Sequence, residues 1–357
     1  MQLTIMHNMI NITLLYCEGI FVTSFERVMN RMAGKPVDRL PNMSLVMMFA
    51  AKLVGVSYGK YCEDHRYLVD GAFRCYEQFG FDMVCAISDP MREAEGFGAK
   101  VILPEEGVPY SKEKRVKTIA DIHTLRVIDP DSGMRMHDRL EAVRRMKERA
   151  GRDIPVVGWV EGALAECCDL MHMQEVFINM LDEPEAIQDL IEICTQQGIL
   201  FAKAQVEAGA DIIGIGDAAT SLIGPALYEE FVLPYQKRMI QAVHDAGAKV
   251  KLHICGNINP VMDLIAQTGS DIVDMDHMVD MDRAAEILPK DCCICGNFDP
   301  VTIIYEGTPQ MVKEATRKCM ALSGKNNNII APGCEIPKDT PIVNVLALKE
   351  ALEENTF

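Results

Sequence analysis

The chain has 357 residues, of which 49% are hydrophobic and 24% charged, and its formal net charge is −17 at pH 7. This apolar content is ample for a sizeable core and excludes a disordered chain. The negative charge, with no clustered stripe of Lys and Arg, argues against a nucleic-acid-binding surface because phosphate contacts need positive side chains. We therefore expect a small-molecule or protein partner.

The thirteen cysteines are spread through a long chain and often lie in pairs inside apolar runs. Disulfide scaffolds are short and secreted, so this pattern favours a reducing compartment, and we predict a cytoplasmic protein. The first 21 residues lack a basic segment and a small-residue cleavage site, and Asn8, Asn11 and Glu18 interrupt them. We therefore predict neither a signal peptide nor a membrane span.

The first helix signal is TSFERVMNRMAGKPVDR, residues 23–39. Thr23 or Ser24 can cap this helix, and Glu26 lies in its first turn. We therefore predict an N-terminal extension over residues 1–22 and one domain over residues 23–357.

Eight short apolar runs, separated mostly by amphipathic helical stretches, are predicted to be strands. They are residues 42–49, 81–88, 154–161, 210–217, 249–256, 271–276, 292–297 and 328–334. Eight buried strands alternating with helices predict an α/β fold, the TIM (β/α)8 barrel. A doubly wound sheet is the alternative, but it does not need eight strands.

The longest gap between predicted strands covers residues 89–150, after the second strand. Residues 98–111 indicate a hairpin, and residues 131–151 indicate a basic helix. We predict that this insertion covers one rim of the barrel.

Polar residues follow the predicted strands at the end where barrel enzymes build active sites. They are Glu161, Asp217, His253, Cys255, Asp276, Asn297 and Cys334. Asp217 can orient a substrate or a metal ligand, or it can cap the following helix. Glu161 is the second candidate for a catalytic carboxylate.

His253 and Cys255 lie two residues apart on one strand, so their side chains point to the same side. Cys334 ends the eighth strand and can complete a His/Cys/Cys set that suits Zn²⁺. Asp276 is the best candidate for a fourth, exchangeable ligand, with Asp274 and His277 as alternatives. Cys292 and Cys295 face opposite sides of an extended strand, and Cys167 and Cys168 are predicted to pack in a helix.

Several segments resemble the uroporphyrinogen decarboxylase superfamily, and within it the zinc-dependent methyltransferases that work with corrinoid proteins. They are ERVMNRMAGKPVDRLP, GWVEGALAECCDL, ADIIGIGDAATSLIGPALYEEFVLPY, LHICGNINPVMDLIAQTGSDIVDMDH, GNFDPVTIIYEGTP and IIAPGCEIPKDTPIVNVLALKEA. The resemblance covers residues 23–353 and implies a methyltransferase whose zinc is held by His253, Cys255 and Cys334.

Two departures from the family pattern concern the site. The segment EGALAECC lacks the proline of the related motif, and Asp276 stands where coenzyme M enzymes commonly have Glu. The decarboxylase branch carries an arginine-rich stretch after the first strand, whereas residues 47–55, MMFAAKLVG, contain no arginine. A uroporphyrinogen-type decarboxylase is thus the second hypothesis, and a non-catalytic zinc or corrinoid-protein scaffold is the third.

The predicted reaction moves a methyl group between a small substrate and cobalt. The substrate is either a thiol acceptor or an O- or N-methyl donor. The chain has no DxHxxG-type cobalamin segment, so the corrinoid is expected on a separate partner protein. Met47, Met48 and Phe49, at the end of the first predicted strand, would suit an aryl or alkyl methyl donor.

Overall fold

The structure is a computed structural model that describes residues 22–132, 134–321 and 327–354. The predicted extension over residues 1–22 therefore lies outside the described residues, apart from Val22. The first helix begins as expected, because Thr23 and Glu26 form a reciprocal capping box. The Glu26 amide donates to Thr23 Oγ1 over 3.1 Å, and the Thr23 amide donates to Glu26 Oε2 over 2.9 Å.

The strands form one large parallel sheet and one small hairpin. They are β1 Val84–Cys85, β2 Val101–Ile102, β3 Tyr110–Ser111, β4 Val156–Glu161, β5 Ile212–Gly216, β6 Lys249–Ile254, β7 Ile272–Met275, β8 Cys293–Cys295 and β9 Asn328–Ile329. The parallel sheet has the order β1-β4-β5-β6-β7-β8-β9, and β2 pairs with β3.

An extended segment around Asn42 closes the sheet into a barrel. Asn42 forms a parallel bridge with Ile330, next to β9, and its carbonyl oxygen accepts from the Asp82 amide, next to β1. The predicted first strand, residues 42–49, is therefore right in position but too long. The amide and the hydroxyl of Ser44 both donate to Asn42 Oδ1. The Ser44 amide is therefore not available to extend the pairing between strands.

Helices surround this barrel. They are α1 Ser24–Met32, α2 Met48–Val54, α3 Tyr58–Glu63, α4 His65–Phe79, α5 Arg92–Gly96, α6 Ile119–Ile122, α7 Met134–Ala150, α8 Ala163–Leu170, α9 Met173–Asp182, α10 Pro184–Glu207, α11 Pro225–Phe231, α12 Leu233–Asp245, α13 Met262–Ile265, α14 Met281–Ile287, α15 Pro309–Met320 and α16 Ile342–Glu353. Three 3-10 turns, Pro130–Ser132, Ala218–Leu222 and Asn259–Val261, and a π-helix, Pro300–Tyr305, complete the elements. The predicted (β/α)8 architecture is confirmed.

The insertion after the second barrel strand begins as predicted, with the β2–β3 hairpin in the register Val101↔Ser111. The predicted basic helix is α7, and it packs against α4, α10 and β4. It therefore belongs to the outer ring of the barrel, while Asp89 and Pro90 of the same insertion line the cavity at the rim. Within the described ranges, no helix has the length and apolar character needed to cross a membrane.

Side chains alternate between two apolar layers along the strands, as parallel barrel strands require. Val250, Leu252 and Ile254 of β6 pack outward against the helices. Trp159 and Ile272 belong to the inner cluster of the barrel. Since Lys251, His253 and Cys255 alternate with the outward residues, the barrel interior is the side that receives them.

Candidate functional site

Three side chains from the ends of two barrel strands meet at the C-terminal rim. His253 Nε2 lies 3.1 Å from Cys255 Sγ and 3.8 Å from Cys334 Sγ, and the two sulfurs are 3.6 Å apart. His253 is buried, and both cysteines are partly buried. The structure therefore brings together the three residues that the sequence analysis named as candidate metal ligands.

This arrangement fits a tetrahedral metal. Zn–S and Zn–N bonds of ordinary length place neighbouring ligand atoms about 3.6–3.8 Å apart in a tetrahedron. The three distances observed here lie close to that range, and one imidazole with two sulfurs is a donor set that zinc prefers. Three protein ligands leave a coordination position for another group.

The two cysteines differ in charge. The hydrogen bond from Cys255 lowers the pKa of Cys334 to about 4, against the effect of burial and with help from His253. The same hydrogen bond and burial raise the pKa of Cys255. These shifts favour one thiolate in the pair, at Cys334, and the thiolate is the form that ligates metals.

A cavity of about 180 Å³ opens above these three side chains. Its apolar wall consists of Leu45, Met47, Ile87, Pro90 and Trp159. Its acidic wall consists of Asp89, Glu161, Asp217 and Glu335. Of the three residues expected to suit an apolar methyl donor, Met47 lines the cavity, while Phe49 packs against Phe79 with ring centroids 5.7 Å apart.

Asp276 follows β7 and is buried beside the metal group. Its Oδ1 accepts from the Met278 amide over 3.0 Å and lies 2.9 Å from His277 Nδ1. The set of ligand atoms within 4.8 Å of one another contains His253, Cys255 and Cys334 but not Asp276. A role as fourth ligand for Asp276 stays a prediction.

The carboxylate of Asp217 caps a helix, although not the one that follows it. Oδ1 accepts from the Ala165 amide at the start of α8 over 3.0 Å, and Oδ2 accepts from Gln236 over 2.9 Å. Its own following 3-10 turn receives no side-chain cap. Gly162 permits this contact, because a Cβ there would lie 2.2 Å from Asp217 Cγ.

Replacing Asp217 therefore tests whether it acts in binding or in chemistry. Because asparagine also caps helices, we expect Asp217→Asn to keep the stability, the metal content and the turnover of the parent protein. Asp217→Ala should lose about 1–3 kcal/mol in urea unfolding, since a helix amide and Gln236 lose their acceptor. Loss of turnover in Asp217→Asn with full metal content would instead assign this carboxylate to the substrate.

Glu161 ends β4 and contacts an arginine that the sequence analysis did not single out. Its Oε1 accepts from Arg92 Nη2 over 2.8 Å, and its amide donates to Glu93 Oε1 over 3.0 Å. Burial raises the pKa of Glu161 well above its usual value, although Arg92 opposes this shift. Burial thus favours the protonated form of Glu161, whereas the contact with Arg92 favours the carboxylate.

Two more acidic wall residues were also missed. Asp89 pairs with Arg135 over 2.6 Å, and burial together with the charge of Cys334 raises the pKa of Glu335 to about 8. Both positions carry a sequence signal: Asp89 follows a predicted strand directly, and Glu335 is adjacent to a predicted ligand.

The remaining cysteines lie away from this group. Cys292 packs in the outer apolar layer, whereas Cys295 packs in the barrel interior, as their spacing predicted. Cys167 lies in α8 with its sulfur 3.7 Å from that of Cys194. The twelve cysteines of the described ranges form no disulfide.

Comparison with known proteins agrees with this fold and with the predicted resemblance. The uroporphyrinogen decarboxylase (URO-D) family matches residues 23–355. The chain belongs to this family. Within it, the chain is 29% identical to the methylcobamide:CoM methyltransferase MtbA of Methanosarcina acetivorans, over 94% of this chain and 99% of that protein. It is 25% identical to the uroporphyrinogen decarboxylase of Carboxydothermus hydrogenoformans, over 84% of this chain and 85% of that protein.

A solved URO-D-like structure has the same fold. The methyltransferase from Methanosarcina mazei superposes with a TM-score of 0.85 at 24% identity, covering 93% of this chain and 99% of that one. The URO-D relatives include both methyltransferases and decarboxylases. The chemistry of the site must therefore distinguish these two activities.

Proposed function

We propose that this protein is a zinc-dependent methyltransferase that moves a methyl group between a small substrate and the cobalt of a separate corrinoid protein. The observation that carries this proposal is the His253, Cys255 and Cys334 group at the base of a small cavity. Zinc bound there would hold a thiol as its thiolate or withdraw electrons from a methylated oxygen or nitrogen.

The size and charge of the cavity argue against the decarboxylase hypothesis. A volume of about 180 Å³ is below the range for drug-sized ligands and far below that of a tetrapyrrole. Within the described part of the chain, the cavity lining contains four carboxyl groups and no Lys or Arg. Among these lining residues, a porphyrinogen with eight carboxylates would find no Lys or Arg to pair with.

The protein's own groups support two directions of methyl transfer. Two cysteine ligands make the metal group electron-rich, which favours a nucleophilic thiolate and hence thiol methylation. A protonated Glu161, the form that burial favours, would instead pass its proton to the oxygen or nitrogen that loses its methyl group. The cobalt carrier must approach through the rim, because the strand ends and the cavity open there.

Cobalt spectroscopy tests the proposed function directly. The purified protein is mixed with methylcobalamin and thiols, and separately with Co(I) cobalamin and methyl ethers or methylamines. Loss of methyl–Co(III) with a thiol would assign the acceptor direction, and formation of methyl–Co(III) would assign the donor direction. Without spectral change in any mixture, including those with a corrinoid protein from the same source, methyl transfer would be rejected.

The variant Glu161→Gln should distinguish thiol methylation from demethylation of an ether or amine. Because a general acid contributes about 10²–10⁴-fold to rate, we expect at least 100-fold slower demethylation of an ether or amine. Methylation of a thiol should change much less, and the zinc content should not change. Stopped-flow spectra of the cobalt centre measure both reactions.

Glu166→Gln is the matched control for this experiment. Glu166 lies in α8, is buried, and within the described ranges its two carboxyl oxygens have no hydrogen-bond partner. It does not line the cavity. Equal losses in the two variants would show that Glu161 acts through general packing and not as an acid.

A further inference from the structure

A charged pair lies inside the barrel below the candidate metal group. Lys251 of β6 donates from Nζ to Asp274 Oδ2 of β7, and the two side chains are 0% and 3% exposed. Lys251 lies on the same side of β6 as His253, and Asp274 is the register partner of His253 across the sheet. Barrel interiors are usually filled by branched apolar residues, so this pair needs an explanation.

Stability alone does not explain the pair. Removing two charges from water costs several kcal/mol per ion, and apolar residues of similar volume often serve a core equally well. The second contact of Asp274 offers a reason, because its Oδ2 lies 3.0 Å from His253 Nδ1. The carboxylate thus joins the buried lysine to the imidazole that faces the two sulfurs.

The His253 ring is also restrained by Trp159. The two ring centroids are 6.3 Å apart with an interplanar angle of 54°. The indole has room because β5 carries glycines beside it: a Cβ at Gly214 would lie 2.1 Å from the Trp159 ring. The imidazole is therefore packed by Trp159 and approached at Nδ1 by Asp274, which leaves Nε2 directed at Cys255 and Cys334.

We propose that Asp274 and Lys251 are positioning residues for the metal centre: Asp274 orients His253 through Nδ1, and Lys251 holds Asp274 in place. The inference rests on the proposed zinc site but not on methyl transfer. A metal-bound histidine usually gives its second nitrogen to a carboxylate or carbonyl, and loss of that partner costs about 10–100-fold in metal affinity. Here the carboxylate of Asp274 is itself paired with a buried cation, Lys251.

The test measures zinc affinity by competition with a chelator and the visible spectrum of the Co²⁺-substituted protein. We expect Asp274→Asn and Lys251→Met each to weaken zinc binding about 10–100-fold. We also expect the Co²⁺ bands to shift, because the imidazole ligand changes its orientation. A merely structural pair would leave the Co²⁺ spectrum unchanged.

The same strands offer a matched control. Lys249 and Asp271 form a second Lys–Asp pair over 2.8 Å, and Asp271 Oδ2 lies 2.7 Å from His244 Nε2. Lys249 is half exposed, and this trio lies at the opposite end of β6 from Cys255. Lys249→Met and Asp271→Asn should keep wild-type zinc affinity and Co²⁺ bands.

A double variant covers the case in which a single replacement prevents folding. Lys251→Met combined with Asp274→Leu removes both charges, so no unpaired charge remains in the core and the protein should still fold. Wild-type zinc affinity and spectrum in this variant would overturn the proposal while leaving the zinc site intact. A wild-type protein that binds no zinc would overturn the metal centre itself.

Discussion

Replacing Cys334 with alanine should remove most of the zinc from the anaerobically purified protein. Wild-type protein should hold about one zinc per chain. Cys334→Ala keeps only two of the three proposed ligands, His253 and Cys255. Its zinc affinity should therefore fall by more than the roughly 100-fold expected when a residue that only supports a ligand is lost. Elemental analysis and chelator competition measure the two quantities.

His253→Ala and Cys255→Ala should also lose most of the zinc, because each removes one of the three proposed ligands. Cys292→Ala is the matched control, since Cys292 packs outward against the helices and leaves the barrel interior intact. Its zinc content should equal that of the wild type. A full complement of zinc in Cys334→Ala would disprove the site.

The meeting of His253, Cys255 and Cys334 was predictable from sequence because it depends on strand periodicity and on the convergence of strand ends. His253 and Cys255 share a side of β6 by the two-residue repeat of a strand, and Cys334 follows the last strand of a barrel whose strand ends converge. Seven of the eight predicted strands form the parallel sheet, and the segment at Asn42 takes the eighth position as a single bridge. The length of the first strand was not predictable, because the Ser44 amide donates to the side chain of Asn42 and not to a neighbouring strand.

The supporting contacts were not predictable because they depend on three-dimensional approach. Asp217 caps α8, whose first residues lie more than fifty positions earlier in the chain. Arg92, the first residue of α5, reaches Glu161, and the Lys251–Asp274 pair requires the β6–β7 register. No spacing rule along the chain links such residues, whereas the fold places them side by side.

Large apolar side chains are exposed on the turns and helix starts that follow β5, β7, β8 and β9, on the side of the barrel where the strands end. They are Leu222, Met278, Val301, Tyr305, Ile342 and Val343. Leu222 is 61% exposed and lies in the 3-10 turn that approaches Gly256, next to Cys255. Met278 is 55% exposed and lies two residues after Asp276. Exposed apolar side chains on the segments that follow several strands make this rim a candidate site of protein contact.

Placing charges on this rim should therefore impair the reaction with a corrinoid protein but not with free cobalamin. In Leu222→Glu/Met278→Glu we expect kcat/KM for the corrinoid protein to fall at least tenfold, because a buried charge at an interface centre is costly. The rate with free methylcobalamin, which needs no docking, should stay within about twofold of the wild-type rate, as should the zinc content. Leu200→Glu is the control, since Leu200 is an exposed leucine of α10 on the outer ring. Equal losses with both cobalt sources would place the defect in the cavity, and unchanged rates with both would show that the corrinoid protein docks elsewhere.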